Sequence, residues 1–368
     1  MYTIPGKYTS ALVTIDSLEA EAIAQIYSFV NHPAFTNPIV MMPDCHTGKG
    51  VPIGFSMPMT DKVIAAIVGV DVGCGMLATE LDYDFEGFNE DEWLKFDAQI
   101  RRDIPTGMHV HHEAVHDLEN NQYFWQFLSE DVAALQKLWD LKSDSPSTLP
   151  TWDWDRLRGF TRSLGLSREA LCNGLGTLGG GNHFIEIGKS RETGKYWLTI
   201  HSGSRNFGLR VANYYQKQAV AQLEAKRERV EQEIIRPILA DPTNLQDRED
   251  LLKAAKEQAG TVIGVRTKGL EWLEDGGEYL SAMALAQRYA ALNRVVMTDL
   301  VLDSLERRRG VRRRDLISGK QIESVHNFID PRDGVIRKGA IRSYLHEDMI
   351  IPLSMGDGML VCTGKSNA

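Results

Sequence analysis

Three stretches far apart in the chain share one texture. Residues 38–80, 174–208 and 321–363 each alternate short apolar runs with turns rich in glycine, proline and aspartate. Runs of that length between such turns predict strands. Between them, residues 90–145 and 209–310 carry apolar side chains at helical spacing. The pattern is clearest from Tyr279 to Arg309, through Leu280, Met283, Ala284, Leu292, Val296, Leu300 and Leu305. No internal repeat is present, and no Pro/Gly/Ser-rich linker divides the chain. The sequence therefore predicts one composite α+β domain over residues 1–368, a mixed β core with flanking helices, in which 209–310 is a mainly helical insertion. Locally, Ser17 to Val30 predicts a helix capped by Ser17, Val63 to Val70 a buried strand leading into Asp71, and residues 143–153 a loop.

At 368 residues the chain has room for one large domain or two or three small ones, and 43% hydrophobic content is ample for a core. Lys and Arg number 41 against 50 Asp and Glu, a net charge of −9. That excludes nucleic-acid binding by bulk charge and leaves a local site. Four cysteines, Cys45, Cys74, Cys172 and Cys362, are too few for a disulfide scaffold. The start has no signal-peptide pattern, and the most apolar run, Lys62 to Asp71, is shorter than a membrane span. A reducing, cytoplasmic location is expected, where cysteines serve as thiols or metal ligands. The histidines at 109, 111, 112 and 116 lack the spacing of a metal cage and read as a surface cluster. Six arginines lie between Arg307 and Arg314. They could hold RNA phosphates, or be a solvated helix end where they complement the dipole.

Three motifs carry chemistry. In Gly69-Val-Asp-Val-Gly-Cys-Gly-Met76, Asp71 and Cys74 sit three apart, with glycines that let the backbone turn sharply. A hard carboxylate and a soft thiolate suit a borderline divalent metal; a buried cysteine with a capping aspartate is the alternative. In Gly176-Thr-Leu-Gly-Gly-Gly-Asn-His-Phe-Ile-Glu-Ile187, the glycines free backbone N–H groups for an anion, and His183 enters a strand. Ile200-His-Ser-Gly-Ser-Arg-Asn-Phe-Gly208 follows, with His201 at a strand end and Ser202, Ser204 and Arg205 as anion contacts. Glu323-Ser-Val-His-Asn-Phe328 adds His326 and Asn327 at a strand position. Asp71, Cys74, His183, His201 and His326 give five donors, more than one tetrahedral site needs and enough for two metals sharing a thiolate.

These motifs, with Met42-Pro-Asp-Cys-His-Thr-Gly-Lys-Gly50, Arg337-Lys-Gly-Ala340 and Ile351-Pro-Leu-Ser-Met-Gly356, occur in the order expected of the RtcB-type RNA-splicing ligases, which the chain resembles from about residue 38 onward. The resemblance implies a GTP- and manganese-dependent ligase that joins an RNA 3′-phosphate or 2′,3′-cyclic phosphate to a 5′-hydroxyl in tRNA splicing or RNA repair. Its partners are then RNA ends and GTP, with room for a helper protein and no membrane. It implies that Asp71, Cys74, His183, His201 and His326 bind two Mn2+, Asp71 and Cys74 being catalytic and Cys74 bridging. It implies a guanine nucleotide site from Asn182, His183, Phe184, Ile185, Glu186, His326, Asn327, Pro352, Leu353, Ser354 and Met355. On physical grounds a thiolate with three imidazoles suits zinc as well.

Asn206, Leu353 and Met359 depart from the family pattern, the last where a small hydroxyl residue is expected at the nucleotide. The family's His-Gly-Ala-Gly-Arg motif, whose histidine is guanylylated, is absent from the sequence, as is the lysine that meets the guanine base. The resemblance thus predicts a C-terminally incomplete ligase domain. A non-catalytic RNA- or nucleotide-binding paralogue and a metal-dependent phosphoester hydrolase are the alternatives.

Overall fold

The computed structural model describes residues 1–48, 50–241, 247–258, 269–354 and 356–365. In chain order the first elements are β1 (Tyr2–Pro5), β2 (Ser10–Val13), α1 (Ala20–Val30), β3 (Ile39–His46), β4 (Ile53–Pro58), α2 (Ala65–Val68) and β5 (Gly75–Leu81). Helices α3 (Glu90–Asp103), α4 (Gln122–Lys142), α5 (Trp154–Ser163) and α6 (Arg168–Asn173) follow, then β6 (Phe184–Lys189) and β7 (Tyr196–Ser202). Next come α7 (Arg205–Val230), α8 (Arg236–Ala240), α9 (Arg248–Gln258) and α10 (Gly277–Arg309). The last strands are β8 (Ile317–Val325), β9 (Asn327–Ile329), β10 (Val335–Lys338), β11 (Asp348–Pro352) and β12 (Met359–Thr363). The expected α+β class, with mixed sheets and flanking helices, is what the chain adopts.

Strands from distant parts of the chain do pair. A six-stranded mixed sheet has the order β1-β2-β3-β4-β10-β9, with only β2 and β3 parallel. A four-stranded antiparallel sheet has the order β6-β7-β5-β8. Alternation sorts its two faces. Leu81, Ile185, Ile187, Leu198 and Ile200 pack with Met297 and Val301 of α10. Met76, Ala78, Phe184 and Ile322 face Ile350 and Met359 of the β11–β12 hairpin.

Helix α10 is buried around most of its circumference, because its small and apolar residues leave few polar positions. It stops at Gly310, whose left-handed φ of 66° suits a residue without Cβ. Helix α3 starts with a capping box between Asn89 and Glu92.

Three local expectations fail. Val63–Val70 forms no strand: Ala65–Val68 is a short helix, stopped at Gly69 with φ 91°. A short wholly apolar run has no periodicity to separate the two forms. Ser17 is not a cap, since α1 starts after Glu19, which makes no side-chain capping bond. His326 lies between β8 and β9, in the step from one sheet to the other, not within a strand.

The histidine cluster occupies the irregular segment between α3 and α4. None of its imidazoles belongs to a metal-like cluster among the described residues. The basic run is largely paired within the chain: Arg307 with Asp103, Arg309 with Glu92, Arg312 and Arg314 with Asp315, and Arg313 with Asp299. No helix among the described residues is long and apolar enough to cross a membrane.

Candidate metal centre

One end of the four-stranded sheet collects the donors. Cys74 immediately precedes β5, His183 precedes β6, His201 is the penultimate residue of β7, and His326 follows β8. Because neighbours in this sheet run antiparallel, these starts and ends coincide in space. Register completes the convergence, with His201 opposite both Met76 and Phe184.

The donor atoms nearly touch. Cys74 Sγ is 3.4 Å from His183 Nε2 and 3.4 Å from His201 Nε2. His201 Nε2 is 3.1 Å from His326 Nε2, and His183 Nε2 is 2.9 Å from Asp71 Oδ2. Two overlapping groups result, Asp71–Cys74–His183 and Cys74–His201–His326, each with its ligand atoms within 4.8 Å of one another. Cys74 is common to both.

Hydrogen bonds at the far side of two rings fix their orientation. His183 Nδ1 lies 2.8 Å from the Leu178 carbonyl, and His201 Nδ1 lies 3.0 Å from the Asn182 carbonyl. An N–H donated there leaves an Nε2 lone pair aimed into the cluster. At His183 that lone pair faces a carboxylate oxygen and a sulfur, and at His201 a sulfur and a second imidazole. A neutral ring has only one N–H to give, so a cation among these atoms satisfies donors that otherwise face one another unpaired. The residues present thus fit a divalent metal of borderline character.

The electrostatics describe the same site without its charge. Burial, then the Asp71 carboxylate, drives the Cys74 thiol well above its ordinary pKa. Burial, reinforced by the neighbouring imidazoles, lowers His201 to about 3, and burial lowers His326 to about 4. Burial works to raise the Asp71 carboxyl, but the hydrogen bond and charge of His183 outweigh it and leave the pKa below the usual range. The neutral imidazoles of His201 and His326 and the ionised carboxylate of Asp71 are ligand forms already; a bound cation would add the thiolate.

Helix α10 supplies supports that the motifs did not reveal. Asn293, fully buried, accepts from the N–H groups of Gly176 (2.8 Å) and Thr177 (3.2 Å). Its amide nitrogen faces the Thr177 and Gly203 carbonyls and Ser202 Oγ at 3.1–3.2 Å. Arg294 donates to the carbonyls of Gly73 and Ser202. An Asn-Arg pair inside an apolar helical pattern was the available signal, since polar groups at core positions are retained only with partners.

Other expected site residues are distributed as follows. Phe184 and Glu186 share a sheet face beside the β11–β12 hairpin: Phe184 packs in the cluster that includes Met359, and a Cβ on Gly358 would lie 3.8 Å from Glu186 Oε1. Ile185 points to the opposite face, toward α10. Asn327 has both ends of its amide engaged, donating to the Asp71 carbonyl (3.2 Å) and accepting from Gly339 N–H (3.0 Å). Pro352, Leu353 and Ser354 are exposed, with Ser354 Oγ held by Asp357 at 2.5 Å. Met355 lies outside the described residues. Met359, where a hydroxyl was expected, instead receives the Thr199 hydroxyl on its sulfur at 3.1 Å. Arg205 takes a left-handed φ of 56° at the start of α7 and reaches Thr177 Oγ1 and the Gly107 carbonyl, both at 2.8 Å.

Comparison with known proteins agrees over most of the chain. A family model described as tRNA-splicing ligase RtcB matches residues 25–368. The RNA-splicing ligase RtcB of Escherichia coli K12 is 28% identical over 358 residues, covering 95% of this chain and 75% of that protein. The tRNA-splicing ligases RtcB of Methanococcus maripaludis (24% over 424 residues; 99% and 77%) and Nanoarchaeum equitans (27% over 408; 95% and 73%) are similar along comparable lengths. The chain belongs to the RtcB family of RNA-splicing ligases.

Proposed function

We propose that the chain is a two-metal, GTP-dependent RNA ligase that joins an RNA 3′-phosphate or 2′,3′-cyclic phosphate end to a 5′-hydroxyl end. The observation that carries this reading is the chain of contacts of 2.9–3.4 Å that links three imidazole Nε2 atoms, one carboxylate and one thiol into two groups sharing Cys74. Two divalent cations, manganese on the family likeness, supply neutralisation of phosphate charge and alignment of attacking and leaving oxygens.

The chain's own residues orient and exclude. Asp71, Cys74 and His183 would hold one cation, and Cys74, His201 and His326 the other. The Leu178 and Asn182 carbonyls keep His183 and His201 from turning. Asn327 fixes the turn that carries Asp71. Asn182, His183, Phe184, Ile185 and Glu186, with His326, Asn327, Pro352, Leu353 and Ser354, would hold the guanine nucleotide. RNA is drawn in by the local cationic site, since the chain as a whole is acidic. Residues 1–368 belong to one RtcB-like domain, with the mainly helical 209–310 inserted into it.

The test uses two RNA strands, one ending in a 3′-phosphate and one beginning with a 5′-hydroxyl, incubated with the protein, Mn2+ and GTP. A joined product that requires both additions is expected from protein that also carries the guanylylated-histidine motif, which residues 1–368 lack; residues 1–368 alone are expected to bind the metal without taking up GMP. Release of inorganic phosphate from the first strand without joining replaces the ligase reading with hydrolysis. Absence of metal in elemental analysis removes both.

A further inference from the structure

Arg294 is the least expected residue near the metal centre. It lies within the long apolar stretch of α10, and its side chain is 0% exposed. Its Nη1 donates to the carbonyls of Gly73 (2.9 Å) and Ser202 (2.8 Å), and its Nη2 to Glu323 Oε1 (2.7 Å). Gly73 immediately precedes Cys74, Ser202 immediately follows His201, and Glu323 stands three residues before His326. One guanidinium therefore grips three separate segments, each just beside a metal-ligand residue.

Folding alone gives little reason for it. Burying a guanidinium costs several kcal/mol before its partners repay it, and a buried ion pair can often be replaced by apolar residues at no loss. Here the single carboxylate partner is 40% exposed, and Arg294 Nε has no partner among the described residues. What the planar fork does supply is a fixed distance between two carbonyls.

We propose that Arg294 is a positioning residue: it locks the turns around Gly73 and Ser202 so that Cys74 Sγ and His201 Nε2 stay at the separation at which they share a metal ion, with Glu323 as its counter-charge. The inference rests on the metal-centre reading above. It assigns the geometry of the ligand set to a side chain that touches neither metal nor substrate.

Cobalt(II) is the probe. A thiolate-to-cobalt charge-transfer band reports the Cys74 bond, and the ligand-field bands report coordination geometry. Arg294→Met is expected to keep its circular dichroism, lose at least tenfold in cobalt affinity and show a weakened thiolate band. Arg294→Lys should recover part of that loss. Tyr289→Phe, which deletes a buried hydrogen bond from the same helix to the Leu171 carbonyl (2.6 Å), should lower thermal stability while leaving cobalt affinity and spectrum unchanged. If Arg294→Met does not fold, Glu323→Gln carries the test and should weaken cobalt binding severalfold. A folded Arg294→Met, or failing that Glu323→Gln, with wild-type cobalt affinity and spectrum overturns the proposal. Failure of the unmodified protein to bind cobalt overturns the metal centre itself, so the two failures are distinct.

Discussion

Cys74 Sγ and His201 Nε2 stand 3.4 Å apart although 127 positions separate them in the chain. Sheet register sets that distance. His201 pairs with Met76, two residues beyond Cys74, and a slip of one residue would send the imidazole to the opposite face. Cys74 is also the one donor common to both ligand groups. Cys74→Ala is therefore expected to abolish retained metal, with a loss of affinity beyond the ~10–100-fold typical of outer-shell substitutions. Elemental analysis after dialysis checks it, and undiminished stoichiometry contradicts it.

Metal should also stabilise the fold. A cation that binds only the folded chain at a hundredfold excess over its Kd adds about 2.7 kcal/mol. Titration with Mn2+ is expected to raise the melting temperature by several degrees and a chelator to reverse it. In Cys74→Ala the same titration should leave the melting curve where it was; an equal rise there would mean that the ions bind elsewhere.

Asp71, Cys74 and His183 were legible in sequence because they sit in glycine-rich turns, where chemistry-bearing residues stand out from the strands around them, whereas His201, within β7, and His326, without a neighbouring glycine, were legible through their motifs. Their supports were not. Asn293 and Arg294 occupy a helix whose pattern is otherwise apolar, and nothing local says which distant backbone groups they meet. Ile185 was grouped with Phe184 and Glu186 by adjacency, but strand alternation turns it to the other face. Val63–Val70 was misread because short apolar runs fit either a strand or a helix until Gly69 shows its left-handed turn. The arginines of 307–314 were ambiguous in sequence, and the acidic partners beside them appear only in three dimensions.

Asn293 offers a stability test of those supports. Asn293→Ala removes the acceptor for two buried N–H groups and the donor for neighbouring carbonyls. Each buried polar group left unsatisfied costs about 1–3 kcal/mol, so a total loss of about 3 kcal/mol is expected. Urea unfolding measures it, with metal affinity falling in the same variant. A loss below about 1 kcal/mol would show that the Gly176–Gly203 region is held by other means.

His32 predicts a pH effect away from the metal. It is 2% exposed, accepts from Ala34 N–H at Nδ1, and packs between Phe35 and Trp272. Burial lowers its pKa from the ordinary 6.5 to about 4. Between those values the unfolded chain binds the proton and the folded chain does not, so stability falls as pH drops from 6.5 to 4. The contribution over the full window is about 3 kcal/mol. His201 and His326 slope the same way in metal-free protein, so the measurement is a difference. His32→Phe should show a shallower fall in stability across this window than the parent chain, and parallel curves would rule the assignment out.

Gly203 separates ligand geometry from folding most directly. A Cβ at this position would lie 2.1 Å from Asp71 Oδ1 and 2.6 Å from its Cγ. The obstructed atoms are the end of a rotatable side chain, so Gly203→Ala can be accommodated by turning Asp71 away, breaking its bonds to Ser204 N–H (3.2 Å) and His183. The expected result is a folded protein, destabilised by about 1–3 kcal/mol, that loses the ion held by Asp71, Cys74 and His183 and keeps more of the one held by Cys74, His201 and His326. Metal content per folded chain should then approach one. Two ions retained at parental affinity would mean that Asp71 is not a ligand and that its carboxylate serves only the turn it closes.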